Sequence, residues 1–232
     1  GEVSSGCTLT VAALNDSLEM CTIANVGDSY ALLVSCDAFR WITEDHRLQT
    51  NQTERERVVA CGGIIAQAAF KDGRSAALRG LGPLRAWPGG VACARAIGDS
   101  DCGHFISAEP VVNTFGYPHD GGGGALVLAS DGIWDTLTPA EVAAAVRAAS
   151  SPQEAARNVV KQVMAQAGLP DDLTCMVAYL GQPAWLEVAT ITASGAASLS
   201  GSFSGSMRRL IPRSPPRAPW SLPTKKAAGA PM

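Results

Sequence analysis

Three short apolar runs open the chain: 7–14 (CTLTVAAL), 18–26 (LEMCTIANV) and 30–35 (YALLVS). Asn15-Asp16-Ser17 and Gly27-Asp28-Ser29 separate them. These are turn-forming residues, so the pattern predicts three strands in an antiparallel meander. Residues 53–60 predict a short helix stopped by Gly62-Gly63. Residues 66–90 mix Gly, Ala and Arg with no period, which predicts an irregular excursion, and a helical piece is expected near Val91–Ile97. Val111–Phe115 and Ala125–Ala129 read as strands joined through Gly121–Gly124. Thr138-Pro139-Ala140-Glu141 and Ser151-Pro152-Gln153-Glu154 read as two capping boxes with proline at the first helical position. They predict helices over 139–149 and 152–167, the second closed by Gly168. Leu173–Leu180 reads as the last strand. Strands and helices cluster rather than alternate, which favours an α+β fold with antiparallel sheets over a doubly wound parallel sheet.

The pattern ends near Gly181. Ser, Gly, Ala and Pro dominate from there, so residues 1–182 read as one domain and 183–232 as a basic tail. A segment so poor in large apolar residues is expected to stay disordered, because its burial does not offset its ordering entropy.

Charge follows the same division. The tail holds six basic residues and one acid, leaving residues 1–180 at −8 against −3 overall. An acidic body argues against nucleic acid as a partner, since a phosphate backbone selects basic faces. The seven cysteines are odd in number, contain no CxxC and sit mostly among apolar residues. Buried free thiols and a reducing compartment, cytoplasm or nucleus, are therefore expected rather than a disulfide framework or a zinc site. No run of 18 or more apolar residues occurs, so no transmembrane segment is expected.

Chemistry gathers at the ends of the apolar runs. Asp131 and Asp135 flank Gly132-Ile133-Trp134 just after the strand at 125–129. Four residues apart on a helical turn, they face the same way and repel each other unless a cation lies between them. The spacing leaves metal binding and simple turn chemistry both open. Asp28 follows one predicted strand, and Asp171 and Asp172 precede another. Three sheet ends each presenting Asp are what a carboxylate site for a hard divalent cation needs. An EF-hand-like module is excluded by spacing, and Asp99-Ser100-Asp101 lacks further ligands.

Nine motifs in register complete the picture: Gly6-Cys7-Thr8, ANVGDS at 24–29, ITEDH at 42–46, Glu54-x-x-Arg57 with Gly62-Gly63, GPLRAW at 82–87, ARAIGD at 94–99, AEPVV at 108–112, LASDGIWD at 128–135 and PDDLT at 170–174. In content and order they resemble the type 2C metal-dependent protein serine/threonine phosphatases over roughly residues 6–180, with GPLRAW and ARAIGD most like plant and algal members. The resemblance implies a four-layer α-β-β-α sandwich with a cluster of two or three Mg²⁺ or Mn²⁺ ions at one end of the sheets. It implies hydrolysis of phosphoserine and phosphothreonine in protein substrates by a metal-activated water, by a monomer. Asp131 and Asp171 would be ligands of one ion, Asp28 and Asp135 would help hold a third, weaker one, and Trp134 would pack to fix the turn between the aspartates.

The departures are equally specific. The family's first third is absent, and with it the early acidic pair, the Asp-Gly-His-Gly-Gly motif with its general-acid histidine, and the phosphate-gripping arginine. No catalytic residue is assigned in its place: His46 reads as structural, and His104 and His119 fall in loops. Tyr30 stands where the family has arginine, Ala94 where it has serine, and Asp172 where it has asparagine. A sandwich without its first strands is expected to expose sheet edges and apolar faces. The chain on its own is expected to be weak or inactive. The opening Gly favours a fragment, and the alternative is a pseudophosphatase that binds or regulates.

Overall fold

In the computed structural model, which describes residues 5–67, 82–117, 123–167, 171–181 and 183–186, the elements run in the following order. Strands β1 (Gly6–Cys7), β2 (Leu9–Asn15), β3 (Met20–Val26), β4 (Tyr30–Val34) and β5 (Phe39–Trp41) come first. Helix α1 (Gln52–Ala60) follows, then β6 (Ile64–Gln67), β7 (Leu84–Trp87), β8 (Ile97–Gly98), β9 (Val111–Gly116) and β10 (Gly124–Ala129). Helices α2 (Asp131–Trp134), α3 (Pro139–Arg147) and α4 (Pro152–Ala167) precede the last strand, β11 (Cys175–Leu180). The chain divides into residues 1–197 and 198–232, the second of which lies wholly outside the described residues. The tail expectation for 183–232 falls almost entirely there, as do Gly168, His119, Gly121 and Gly122.

Two antiparallel sheets form the body, in the orders β11-β10-β4-β5 and β2-β3-β9, which is the α+β architecture expected. The meander is not formed. β2 pairs with β3, but β4 leaves for the other sheet and pairs with β10 and β5. The burial of β4 explains the switch. Leu32 and Val34 face one core and Ala31 and Leu33 the other, so the strand is buried on both faces and belongs at a sheet centre. Gly27, at φ +99°, makes the break between β3 and β4, a conformation that L side chains rarely adopt.

The larger core lies between the four-stranded sheet and helices α3 and α4. Val142, Ala143 and Val146 of α3 and Ala155, Val159 and Val163 of α4 meet Leu32, Val34, Ala125 and Val127 there. Each valine or leucine among them, fully buried, stabilises the fold by about 1.5–3 kcal/mol, and each alanine by less. The capping box of α3 is complete: the Thr138 hydroxyl accepts from the Glu141 N–H and the Glu141 carboxylate accepts from the Thr138 N–H. The second box is shifted. Ser151 accepts from the Glu154 N–H, but the Glu154 carboxylate takes the N–H of Ser150 instead. A second core, with Cys21, Ile23, Leu33, Leu126 and Leu180, fills the space between the sheets.

Nothing among the described residues covers the outer face of the three-stranded sheet. Leu9, Val11 and Val112 stand 46%, 47% and 56% exposed there. The edges β2 and β11 flank a cleft of about 540 Å³ lined by Val11, Leu14, Leu126 and Met176 among others. The described part is therefore helix, sheet, sheet, with the outer face of the second sheet bare among the described residues.

A smaller lobe holds α1 and the antiparallel pair β6–β7 around Leu48, Val58, Ala86, Ala94 and Phe105. Residues 66–90 thus include a strand pair at their ends, while 68–81 lie outside the described residues. The helix expected near Val91–Ile97 is absent. The segment runs extended, with bridges Arg47↔Cys93 and Arg95↔Ser107, and it enters β8. Its alanines favour a helix locally, but its backbone is taken by neighbours: Ala94 donates to the His46 carbonyl and its own carbonyl accepts from Arg57. No disulfide joins the seven cysteines, though only Cys21 and Cys102 are buried and Cys7, Cys36 and Cys61 are exposed, so the expectation of mostly buried thiols is not met.

Two motifs meet in this lobe. Glu54, with a side chain only 5% exposed, takes Arg57 on one carboxylate oxygen at 2.8 Å and Arg95 on the other at 2.7 Å. The spare N–H groups of the arginines go to the carbonyls of Phe105, Ala94 and Glu109. Burial alone would raise the Glu54 carboxyl, but the two guanidiniums overcome it and bring its pKa below the usual value.

Candidate metal centre

Strand register brings the aspartates together. In the four-stranded sheet, Ala129 of β10 pairs with Tyr30 of β4 on one side and Cys175 of β11 on the other. Asp28 lies two residues before Tyr30, Asp131 two after Ala129, and Asp171 four before Cys175. Three chain crossings at one sheet end thus each deliver an aspartate to the same side of the molecule. Asp135, at the C-cap of α2, supplies a fourth.

Backbone contacts hold these ends in place. The Ser130 N–H donates to the Thr174 carbonyl at 3.0 Å, and the Thr174 N–H donates to the Ser130 hydroxyl at 3.1 Å. Gly132 lets α2 approach the 171–173 turn. A Cβ there would stand 2.8 Å from the Asp172 carbonyl oxygen and 3.4 Å from Asp171 Cβ. Trp134 donates Nε1–H to the Ala129 carbonyl at 2.8 Å and stacks edge-on against Trp41, so it fastens the turn between Asp131 and Asp135 back onto the strand.

The residue that organises the site is Arg47, which follows the ITEDH motif and which sequence reasoning passed over. Its Nε donates to Asp28 at 2.8 Å, one terminal nitrogen to Asp135 at 2.6 Å, and the other lies 3.6 Å from Asp131. The loop beneath it is well tied. Tyr30 and Thr50 give their hydroxyl protons to Asp45, and Asp45 also accepts the Arg47 N–H at 2.8 Å. The tyrosine that replaces the family's arginine therefore braces this loop. Its proton is firmly held: burial, then the hydrogen bond to Asp45, push its pKa well up.

His46 is fully buried, and its Nδ1 accepts from the Gly27 N–H at 3.0 Å, while Nε2 meets no protein partner. Burial lowers its pKa, which keeps the ring neutral and suits a structural part under the Asp28 turn. His104 is exposed in a turn of the smaller lobe's 99–107 segment.

One guanidinium does not balance four carboxylates. Burial, then the charge of Asp28, raises the Asp131 pKa in spite of Arg47, and Asp135 and Asp171 add to the shift. A carboxyl whose charged form is disfavoured first by burial and then by neighbouring acidic groups marks a place where further positive charge is favourable. The donors are all carboxylate oxygens, which suits a hard divalent cation. The donor chemistry is thus of the kind that a hard divalent cation takes. Held apart around Arg47, no three of the aspartates offer oxygens within 4.8 Å of one another. Asp99, Asp101 and Cys102 do form such a group, but burial raises the Cys102 pKa, and a thiol that keeps its proton is a poor ligand.

The family model of Protein phosphatase 2C matches residues 1–168. Among curated relatives, "Probable protein phosphatase 2C 33" of Oryza sativa subsp. japonica is 41% identical over 175 residues, covering 75% of this chain and 38% of that protein. "Probable protein phosphatase 2C 5" of Arabidopsis thaliana is also 41% identical over 175 residues, covering 75% of this chain and 39% of that one. The chain thus spans about two-fifths of the length of these relatives. Of solved structures, a C. elegans sex determining protein superposes with a TM-score of 0.65 at 23% identity, over 78% of this chain and 42% of that one. Serine-threonine phosphatase 2C from Toxoplasma gondii does so with a TM-score of 0.54 at 20% identity, over 69% of this chain and 54% of that one. Both likenesses bear on the fold.

Proposed function

The chain belongs to the protein phosphatase 2C family, and on that premise we propose that the protein carrying it hydrolyses phosphoserine and phosphothreonine in phosphoprotein substrates. The observation that carries the proposal is the convergence of Asp28, Asp131, Asp135 and Asp171 at one sheet end, with negative charge in excess of what Arg47 neutralises. Bound there, Mg²⁺ or Mn²⁺, as two or three ions in the complete site, would supply a water that is nucleophilic at neutral pH and a counter-charge for the phosphate.

The tasks of this chain are to hold and to orient. Asp131 and Asp171 present oxygens from two strand ends that Ser130 and Thr174 lock together. Gly132 keeps that junction tight and Trp134 keeps α2 on the strand. Asp28 and Asp135 complete the acidic set, with Arg47 between them. No residue among the 232 is assigned as general acid. Seven cysteines without a disulfide support a reducing compartment, cytoplasm or nucleus, as the place of action.

The test is Mn²⁺-dependent release of phosphate from a phosphothreonine peptide, by the 232-residue chain and by a form extended upstream, each beside its Asp131→Asn variant. Metal-dependent release by the extended form that disappears in the variant is expected. A folded extended form that releases no phosphate with either Mg²⁺ or Mn²⁺ overturns the proposal.

A further inference from the structure

We propose that Arg47 is a resident cation that occupies the position between Asp28 and Asp135, so that these two carboxylates serve as its counterions and the divalent cation is left to Asp131 and Asp171. The inference rests on the metal-dependent reading above and divides its acidic set in two.

Distances make the division. Arg47 gives Asp28 and Asp135 direct hydrogen bonds of 2.8 and 2.6 Å, whereas Asp131 stands 3.6 Å away, beyond a hydrogen bond. A guanidinium is planar and always charged, and its N–H groups point outward in a fixed fork. Asp28 and Asp135 each give one oxygen to a different N–H of that fork, and a third carboxylate is only within its field. Asp131 is the third, and Asp171, on the adjacent strand end, has no bond to the arginine at all.

The arginine is also built in rather than draped over the surface. Its side chain is 23% exposed, its ring neighbour Tyr30 lies 6.0 Å from the guanidinium carbon, and its N–H is held by Asp45. Asp45 in turn is held by Tyr30 and Thr50, and the Asn51 amide takes the Asp45 carbonyl at 2.7 Å. The same loop caps α1 through Asn51, so the position of Arg47 is fixed from a helix start. A fixed monovalent cation competes with any ion seeking the same two carboxylates and does so without losing translational freedom.

The consequence is a count. Charge removal at Arg47 uncovers an Asp28–Asp135 site and adds one ion, whereas loss of Asp135 alone subtracts none. The experiment measures Mn²⁺ bound per chain, by equilibrium dialysis with free Mn²⁺ read by electron paramagnetic resonance. It compares the 232-residue chain with Arg47→Gln, Arg47→Lys, Asp135→Asn, Asp131→Asn and the double variant Arg47→Gln/Asp135→Asn.

One additional Mn²⁺ is expected in Arg47→Gln, the original count in Arg47→Lys and in the double variant, and a reduced count in Asp131→Asn. An unchanged or lower count in Arg47→Gln overturns the inference, and so does the loss of an ion in Asp135→Asn. If Arg47→Gln fails to fold, which circular dichroism shows, the Asp135→Asn count still decides. Absence of Mn²⁺ binding in every chain overturns the metal reading of these residues together with the inference. Binding that Asp131→Asn and Asp135→Asn both reduce overturns the inference alone.

Discussion

Two clusters, one centred on Glu54 and one on Arg47, are built to opposite rules. Around Glu54, two guanidiniums share one buried carboxylate and their remaining N–H groups find carbonyls. Around Arg47, three carboxylates crowd one guanidinium and a fourth waits nearby. The first carries one surplus positive charge that backbone carbonyls take up, and its carboxylate is shielded; the second carries surplus negative charge and is open to solvent. A buried ion pair that is fully hydrogen-bonded holds structure in place; a cluster left with excess charge of one sign is poised for a ligand of the other. Motif content alone does not separate the two, because Glu54-x-x-Arg57 and the DGIWD segment both belong to the nine motifs.

The contrast is broken most severely at Glu54. Glu54→Gln leaves two arginines facing a buried neutral group, and a loss of about 3–5 kcal/mol of stability is expected, read from urea unfolding. On the other side, Gly132→Ala drives a methyl group against the Asp172 carbonyl, 2.8 Å from its ideal position. An over-packing cost of about 1–3 kcal/mol is expected in the same assay, together with weaker Mn²⁺ binding.

Acid sharpens the comparison. The Glu54 pKa is depressed, so its stabilisation is complete above the unfolded carboxylate value, about 4.3, and is lost as pH falls through the lower folded value. The stability gap between wild type and Glu54→Gln, followed by denaturant titration, is therefore expected to close below about pH 4. Asp131 runs the other way. Its folded pKa is raised, so repulsion is relieved as pH falls through that value, and the metal-free Asp131→Asn variant is expected to match or exceed wild type above it by up to about 1 kcal/mol. The smallest effect is at Asp135, whose side chain is 56% exposed. Asp135→Asn is expected to cost less than about 1 kcal/mol, and a larger loss would mean that the open cluster is structural after all.

Much of the arrangement was legible in the residues. The box at Thr138 and Glu141 was readable because capping is local, and three strand ends carrying aspartate were readable because each strand is short and sharply ended. What was hidden depends on partners far away in sequence. β4 reads like a third meander strand until one knows that both its faces are buried. Val91–Ile97 reads like a helix until the carbonyl of Ala94 is seen to be claimed by Arg57. Arg47 carries no periodic or motif signal of its own; a lone arginine beside ITEDH gains meaning only when Asp28 and Asp135 arrive at either side of it. Gly132 was quoted within a motif, but its reason, the close pass of the 171–173 turn, lies across a strand pair.

The bond between Arg47 and Asp135 spans 88 residues, whereas that between Arg47 and Asp28 spans 19. Closing the longer loop is entropically dearer and slower. During synthesis the arginine therefore meets Asp28 long before α2 leaves the ribosome, and its early partner keeps the loop in shape while the remaining acids are still unmade. Assembly of the acidic site is a late event in the life of the chain, completed only when Asp171 follows. Refolding experiments that monitor Trp134 against Trp41, whose rings end 4.8 Å apart, would time that event directly.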